Sequence, residues 1–397
     1  MIVPVNLKNL ALGVTAAAIG SVTLLAPAAQ AAAAPGTARV SGTTVYLYGG
    51  AGAANWITVT RSGRVVTFDD AIAITPGAGC KRVGSDVTRV ACTTTAAPAL
   101  VVVSSGDNND GIFNRTDLPI FGYGGNGNDT LGGGGGIMHE QLYGGAGNDK
   151  IYGGAGGDSL YGGPGNDSLY GGDDADQLDG EAGADLLQGN AGDDSVSYWH
   201  RTGSVTVSLD GKAGDGEKGE NDTIAADVEN VWGGHGNDIV LGNAGDNFLD
   251  ARGGKNYIRG GAGKDLISAS NSTGNTVYGD AGDDFINGSS GNDIVSGGDG
   301  RDHVYAQSGV DSVYGDAGDD WLEGEAGNDL LNGAAGNDWL VGGAGDDKLH
   351  GGPGDDHLRG TGAFADDQSD TEMNWGDGGP DADTCYAGKA SIQLGCE

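Results

Sequence analysis

The stretch Gly144–Tyr170 reads GGAGNDKIY, GGAGGDSLY, GGPGNDSLY, three nonapeptides in one unbroken phase. The sixth residue of each is Asp149, Asp158 or Asp167, and the eighth is Ile151, Leu160 or Leu169. Glycine loses more backbone entropy on ordering than any other residue, and so few bulky apolar groups cannot offset that loss by burial. A disordered acidic tract has no reason to hold carboxylate and aliphatic side chains two residues apart at fixed phase. The stretch therefore predicts an ordered array that draws part of its stability from something outside the chain.

The phase extends in both directions. GGDDADQLD, GEAGADLLQ and GNAGDDSVS carry it forward, and after residues 198–232 it resumes with GGHGNDIVL and runs, with irregular units, to GGPGDDHLR ending at Arg359. The sixth position holds Asp129, Asp149, Asp158, Asp167, Asp176, Asp185, Asp194, Asp238, Asp265, Asp284, Asp293, Asp302, Asp311, Asp320, Asp329, Asp338, Asp347 and Asp356. The eighth position is apolar throughout. In the first block it reads Ile151, Leu160, Leu169, Leu178, Leu187, a ladder of similar-sized side chains able to stack.

This pattern resembles the G-G-x-G-x-D-x-U-x nonapeptide of RTX, or hemolysin-type, calcium-binding proteins over about Gly124 to Arg359. The resemblance implies an all-β fold, a right-handed parallel β-helix or β-roll solenoid with two nonamers per coil. It also implies that six residues turn, that three form a short strand, and that several calcium ions sit between stacked turns. Their ligands would be the position-six aspartates named above and backbone carbonyls. Elementary chemistry agrees, because calcium takes six to eight oxygen ligands and a glycine-dense turn can aim several carbonyls inward. Binding energy then becomes folding energy.

Composition narrows the function. The 397 residues include 81 Gly and 56 Asp plus Glu against 20 Lys plus Arg, a formal net charge of -36. That charge excludes nucleic acid, whose binding needs a basic face, and favours metal ions or polycations. Residues 1–34 read as a signal peptide, with Lys8, an apolar run from Leu10 to Leu25, and small residues that permit cleavage after Ala31 or after Ala34. The protein is expected to be secreted, with no integral membrane segment. Its four cysteines form two sequence-local pairs, Cys80 with Cys92 and Cys385 with Cys396, expected as disulfides.

The remaining segments divide as follows. Residues 35–122 contain short β-branched runs such as TVYLY and NWITVTRSGRVVTFDD, which predict a small amino-terminal β cap. Two roll blocks, 123–197 and 233–359, flank an insertion at 198–232, and 360–397 forms a carboxyl-terminal cap. The insertion ends in IAADVENVW, with Glu229 sixth and Val231 eighth; it reads equally as a plain loop or as a variant ion site near Asp215 and Asp222. In the closing unit GGPDADTCY, Asp383 is sixth and Cys385 eighth, but Asp381 replaces a turn glycine. On one edge Asn256 and Asn275 stand where carboxylates are expected, in a region that also carries Arg252, Lys255, Arg259 and Lys264. With these carboxylates missing, and with the ten-residue unit ASNSTGNTVY from Ala269 lacking the paired glycines, 242–278 is expected to be calcium-poor and to open first.

No enzyme motif is complete. His139-Glu140 lacks the second histidine of a zinc protease helix, and no P-loop or nucleophile elbow occurs. The expected function is that of an exported, non-enzymatic calcium-binding module with a structural or surface-interaction role. The alternative is a secreted hydrolase with an RTX appendage. Trp199, Trp232, Trp321, Trp339 and Trp375 are candidate contacts for a cell-surface or polysaccharide partner.

Overall fold

A computed structural model describes residues 34–270, 273–360, 375–379, 383–386 and 392–394. The expected signal peptide falls on residues 1–34 and so lies almost entirely outside the described residues, as does Cys396. Every regular element among the described residues is a β-strand. Two nonapeptides complete one coil, as the RTX resemblance implies. Gln141–Ala146 pairs in parallel with Ser159–Tyr161, placing Leu142 opposite Leu160, while Lys150–Ala155 pairs with Ser168–Asp173, placing Ile151 opposite Leu169. Successive nonamers thus alternate between two facing parallel sheets. Many strands are longer than three residues: Lys150–Ala155 runs from the seventh position through the third of the next unit.

The eighth-position side chains point between the sheets, and Ile151, Leu160, Leu169, Leu178 and Leu187 are at most 1 % exposed. Period-two alternation does this, because in an extended strand the residues either side of an inward side chain face outward. One apolar core runs the length of the roll, from Leu47 and Ile57 to Leu349 and Leu358.

The amino-terminal segment is continuous with that core. Thr44–Tyr48 pairs in parallel with Leu100–Asp107, and Trp56–Ser62 with Gly111–Arg115, so these strands form the first coils. Capping is done by antiparallel strands folded back over the end, including Val65–Asp69 against both Trp56–Ser62 and Arg89–Thr93. Cys80 faces Cys92 across the Cys80–Arg82 and Arg89–Thr93 pair, and the two are joined by a disulfide. The sheets pass the boundary expected at residue 122 without a break.

The insertion keeps the stack continuous on both faces. On one, Ser195–Ser197 pairs directly with Asn230–Trp232. On the other, Asp222–Ile224 stacks on Leu186–Ala191, joins Ala213–Glu217 and then Val205–Ser208 in antiparallel fashion, and Val205–Ser208 pairs in parallel with Ile239–Leu241. At the far end, Thr384–Tyr386 adds to His357–Arg359 with Cys385 opposite Leu358, the interior register expected for it. Cys385 is disulfide-bonded.

Candidate metal site

Turns follow each strand, and their conformation is imposed by how closely the coils stack. Gly163, at the second position, has φ +106, and a Cβ there would lie 2.0 Å from the Gly145 carbonyl oxygen of the preceding coil. Only glycine fits such an approach. Elsewhere the same position accepts a side chain in a tighter left-handed conformation, as at Glu181 with φ 58 and Ala334 with φ 73.

The position-six aspartates form hydrogen-bonded ladders along the roll edges. The Asp129 N–H donates to Asp149 Oδ1 at 2.7 Å, Asp149 N–H to Asp167 Oδ1 at 2.7 Å, and Asp167 N–H to Asp185 Oδ1 at 2.8 Å. The other edge repeats this through Asp158, Asp176 and Asp194. Fifth-position asparagines run an exposed ladder in the opposite sense: Asn148 N–H donates to Asn128 Oδ1 at 2.8 Å, and Asn166 N–H to Asn148 Oδ1 at 2.9 Å.

All eighteen aspartates singled out in the sequence are at most 2 % exposed. The ladder uses one carboxylate oxygen of each. The second oxygen of Asp129, Asp149, Asp158, Asp167, Asp176, Asp185, Asp194, Asp265, Asp284, Asp302, Asp311, Asp320, Asp329 and Asp338 is buried with no hydrogen-bond donor. It lies over the first-position glycine. An added Cβ at Gly162 would meet Asp167 Oδ2 at 2.5 Å and the Gly180 carbonyl oxygen at 2.7 Å, so that glycine keeps open a cradle lined by a carboxylate and a carbonyl. Burial raises the carboxyl pKa of Asp129, Asp167, Asp176, Asp265, Asp302, Asp311 and Asp320 to about 7, and that of Asp185 to about 8. An unpartnered buried carboxylate oxygen is costly unless a proton or a cation satisfies it.

The ladders reach beyond the residues the repeat pattern identifies. Asn55 N–H donates to Asp110 Oδ1 at 2.7 Å and Asp110 N–H to Asp129 Oδ1 at 2.7 Å, so one ladder begins before Gly124. The unit SGDNNDGIF from Ser105 carries the signal, Asp sixth and Ile eighth, without paired glycines. Glu140 takes a rung above Asp158. Its register is hidden in the sequence by the extra residues of GGGGIMH before it. Asp222 and Glu229 carry the ladders through the insertion, accepting from the Asp185 and Asp194 N–H groups at 2.9 Å each. Asp215 lies off the ladder, accepting from Ser208 N–H at 2.8 Å and Ile224 N–H at 3.3 Å. At the far end Asp356 N–H donates to Asp383 Oδ1 at 3.0 Å.

On the edge that starts at Asp238 the pattern changes. Asp238 Oδ2 accepts from Gly234 N–H at 3.0 Å, and Asp293 Oδ2 from Ser289 N–H at 2.9 Å. Between them, Asn275 Nδ2 donates to Ser289 Oγ at 3.1 Å and to Asp293 Oδ1 at 2.9 Å. The protein supplies its own donors there. Among the described residues, no three His, Cys, Asp or Glu side chains gather at one point. Calcium tolerates a site with so few charged side chains, because backbone carbonyl oxygens can complete its coordination.

The family model for the RTX calcium-binding nonapeptide repeat matches at residues 138–169, 170–198, 232–267, 270–304, 305–340 and 332–362. The chain is an RTX calcium-binding repeat protein. Its matches bracket the insertion on both sides and fall within the stacked coils. No curated protein matches the chain. Among the described residues no helix is long and apolar enough to cross a membrane.

Proposed function

We propose that this RTX protein is an exported, non-enzymatic module that folds as calcium enters its turns and then serves as a rigid structural or surface-interaction element. The position-six aspartates are the charged ligands in this reading, with Asp110, Glu140 and Asp383 as additional rungs. The observation that carries it is the row of buried carboxylate oxygens without donors along the roll. Calcium satisfies such oxygens, neutralises their mutual repulsion, and binds the folded chain but not the expanded one.

The non-enzymatic part of the proposal rests on residues 35–122. That segment is the natural place for a catalytic region in the hydrolase alternative, yet its strands are spent as the first coils and end hairpins of the roll.

Circular dichroism during calcium titration tests the reading. A β-sheet signal should appear cooperatively with calcium and much less with magnesium, which demands smaller octahedral sites. A chain equally folded in chelator overturns it. Assays of the calcium-loaded protein on protease, lipase and nuclease substrates should show no turnover; activity would favour the hydrolase.

A further inference from the structure

One sheet of the roll carries a second pattern, unrelated to its turns. On the strands from Phe248–Asp250 to His357–Arg359, the outward seventh position holds Phe248, Phe285, His303, Trp321, Trp339 and His357 on successive coils, interrupted only by Leu266. Ring centroids step 6.3 Å from Phe285 to His303, 6.0 Å to Trp321, 5.1 Å to Trp339 and 5.0 Å to His357. At the usual spacing between strands the track is about 29 Å long. Stacking between neighbours does not enclose it, because Phe285, His303 and His357 remain exposed. A parallel lane at the ninth position offers Asn287, Tyr305 and Glu323, and Glu323 Oε1 accepts from Trp321 Nε1 at 2.8 Å, fixing that indole.

The repeat itself does not require this track. The facing sheet presents Thr276, Ile294, Ser312 and Leu330 at the same position of neighbouring coils, and the first block of the same sheet presents Gln141, Ser159 and Gln177.

We propose that the track docks an uncharged linear glycan lying along the solenoid axis. This deepens the surface-interaction reading above and rests on it. A platform repeated once per coil suits a polymer repeated once per sugar. Pyranose rings present apolar C–H faces to aromatic rings and hydroxyls to flanking amide, phenol and carboxylate groups. The net charge of -36 opposes acidic glycans, and equally a second copy of this chain.

The test uses the calcium-loaded full chain with microcrystalline cellulose, chitin and alginate-coupled beads. Retention is expected on cellulose or chitin and not on alginate. The W321A/W339A variant should bind at least tenfold more weakly with its calcium-induced circular dichroism unchanged, and Tyr314→Ala on the facing sheet should bind normally. If the double variant misfolds, H303A/H357A, at two exposed rungs, replaces it. No retention on either neutral glycan, retention indifferent to the track variants, or retention on alginate alone overturns the proposal. Calcium-induced folding is read separately in the same samples, so loss of glycan binding does not count against calcium-coupled folding.

Discussion

Two kinds of residue decide this fold, the turn glycine and the rung aspartate, and each makes a measurable prediction. Gly163→Ala drives a Cβ to within 2.0 Å of the Gly145 carbonyl oxygen, whereas Gly42, with φ +63, has nothing within 4 Å of its Cβ position. Both substitutions carry the left-handed penalty of about 1–2 kcal/mol. Only Gly163→Ala also forces two coils apart, so denaturant unfolding in calcium should show it destabilising by about 3 kcal/mol or more, against about 1 kcal/mol for Gly42→Ala. For the rung, Asn55 shows what an amide does in place of a carboxylate: its Nδ2 donates to Ser105 O at 2.9 Å and Gly50 O at 3.0 Å. Asp167→Asn should therefore raise the calcium midpoint on the order of tenfold, through loss of a charged ligand. In chelator the same variant should be the more stable protein, and equal loss in both conditions would refute the assignment.

At the scale of elements, the two edges of the roll do not depend on calcium equally. The missing carboxylates and the irregular unit from Ala269 predict that 242–278 opens first, but the structure supplies donors in the cation's place. Asn275 donates to Asp293 and Ser289, Gly234 and Ser289 satisfy Asp238 and Asp293, and Asn247 Nδ2 donates to the Glu229 carbonyl at 3.0 Å. Asn256 removes a charge without making such a bond. Hydrogen exchange at 242–278 should accordingly change least as calcium is withdrawn, while protection at 279–359 collapses; identical calcium dependence in both would contradict this. Much of the architecture was legible because nonapeptide phase specifies both the inward eighth residue and the sixth-position rung locally. The first coils were not, since the glycine turn Gly49-Gly50-Ala51-Gly52 is followed by one extra residue and by an amide, Asn55, on the rung, so Thr44–Tyr48 and Trp56–Ser62 fall out of nonapeptide phase and find their place only through strands far along the chain. The insertion was half legible: Glu229 and Val231 keep phase, but the route through Ala213–Glu217 is set by tertiary pairing.

For the whole molecule, the rungs couple folding to protons as well as to calcium, and the sign follows from burial. Asp129, Asp167, Asp176, Asp265, Asp302, Asp311 and Asp320 titrate at about 7 in the metal-free fold because burial disfavours their charged form, against the ordinary value of 3.8. Between those values the folded state holds protons that the unfolded chain has released, so the folded state gains stability as pH falls. The penalty is full above the folded pKa and is gone below the unfolded one. In chelator, then, the chain should become more ordered as pH is lowered from about 8 towards about 4, the reverse of ordinary acid denaturation. Calcium turns the dependence around, because it needs the carboxylates ionised and must displace those protons. Titrating calcium at pH 7.5 and at pH 5.5 should give a weaker midpoint at the lower pH, with proton release measurable in weakly buffered solution. Opposite pH slopes of melting temperature, falling with pH in chelator and rising with pH in calcium, are the signature of buried rungs shared between proton and cation. Parallel slopes would mean that these carboxylates do not exchange a proton for the cation on folding, and would refute the shared-rung assignment.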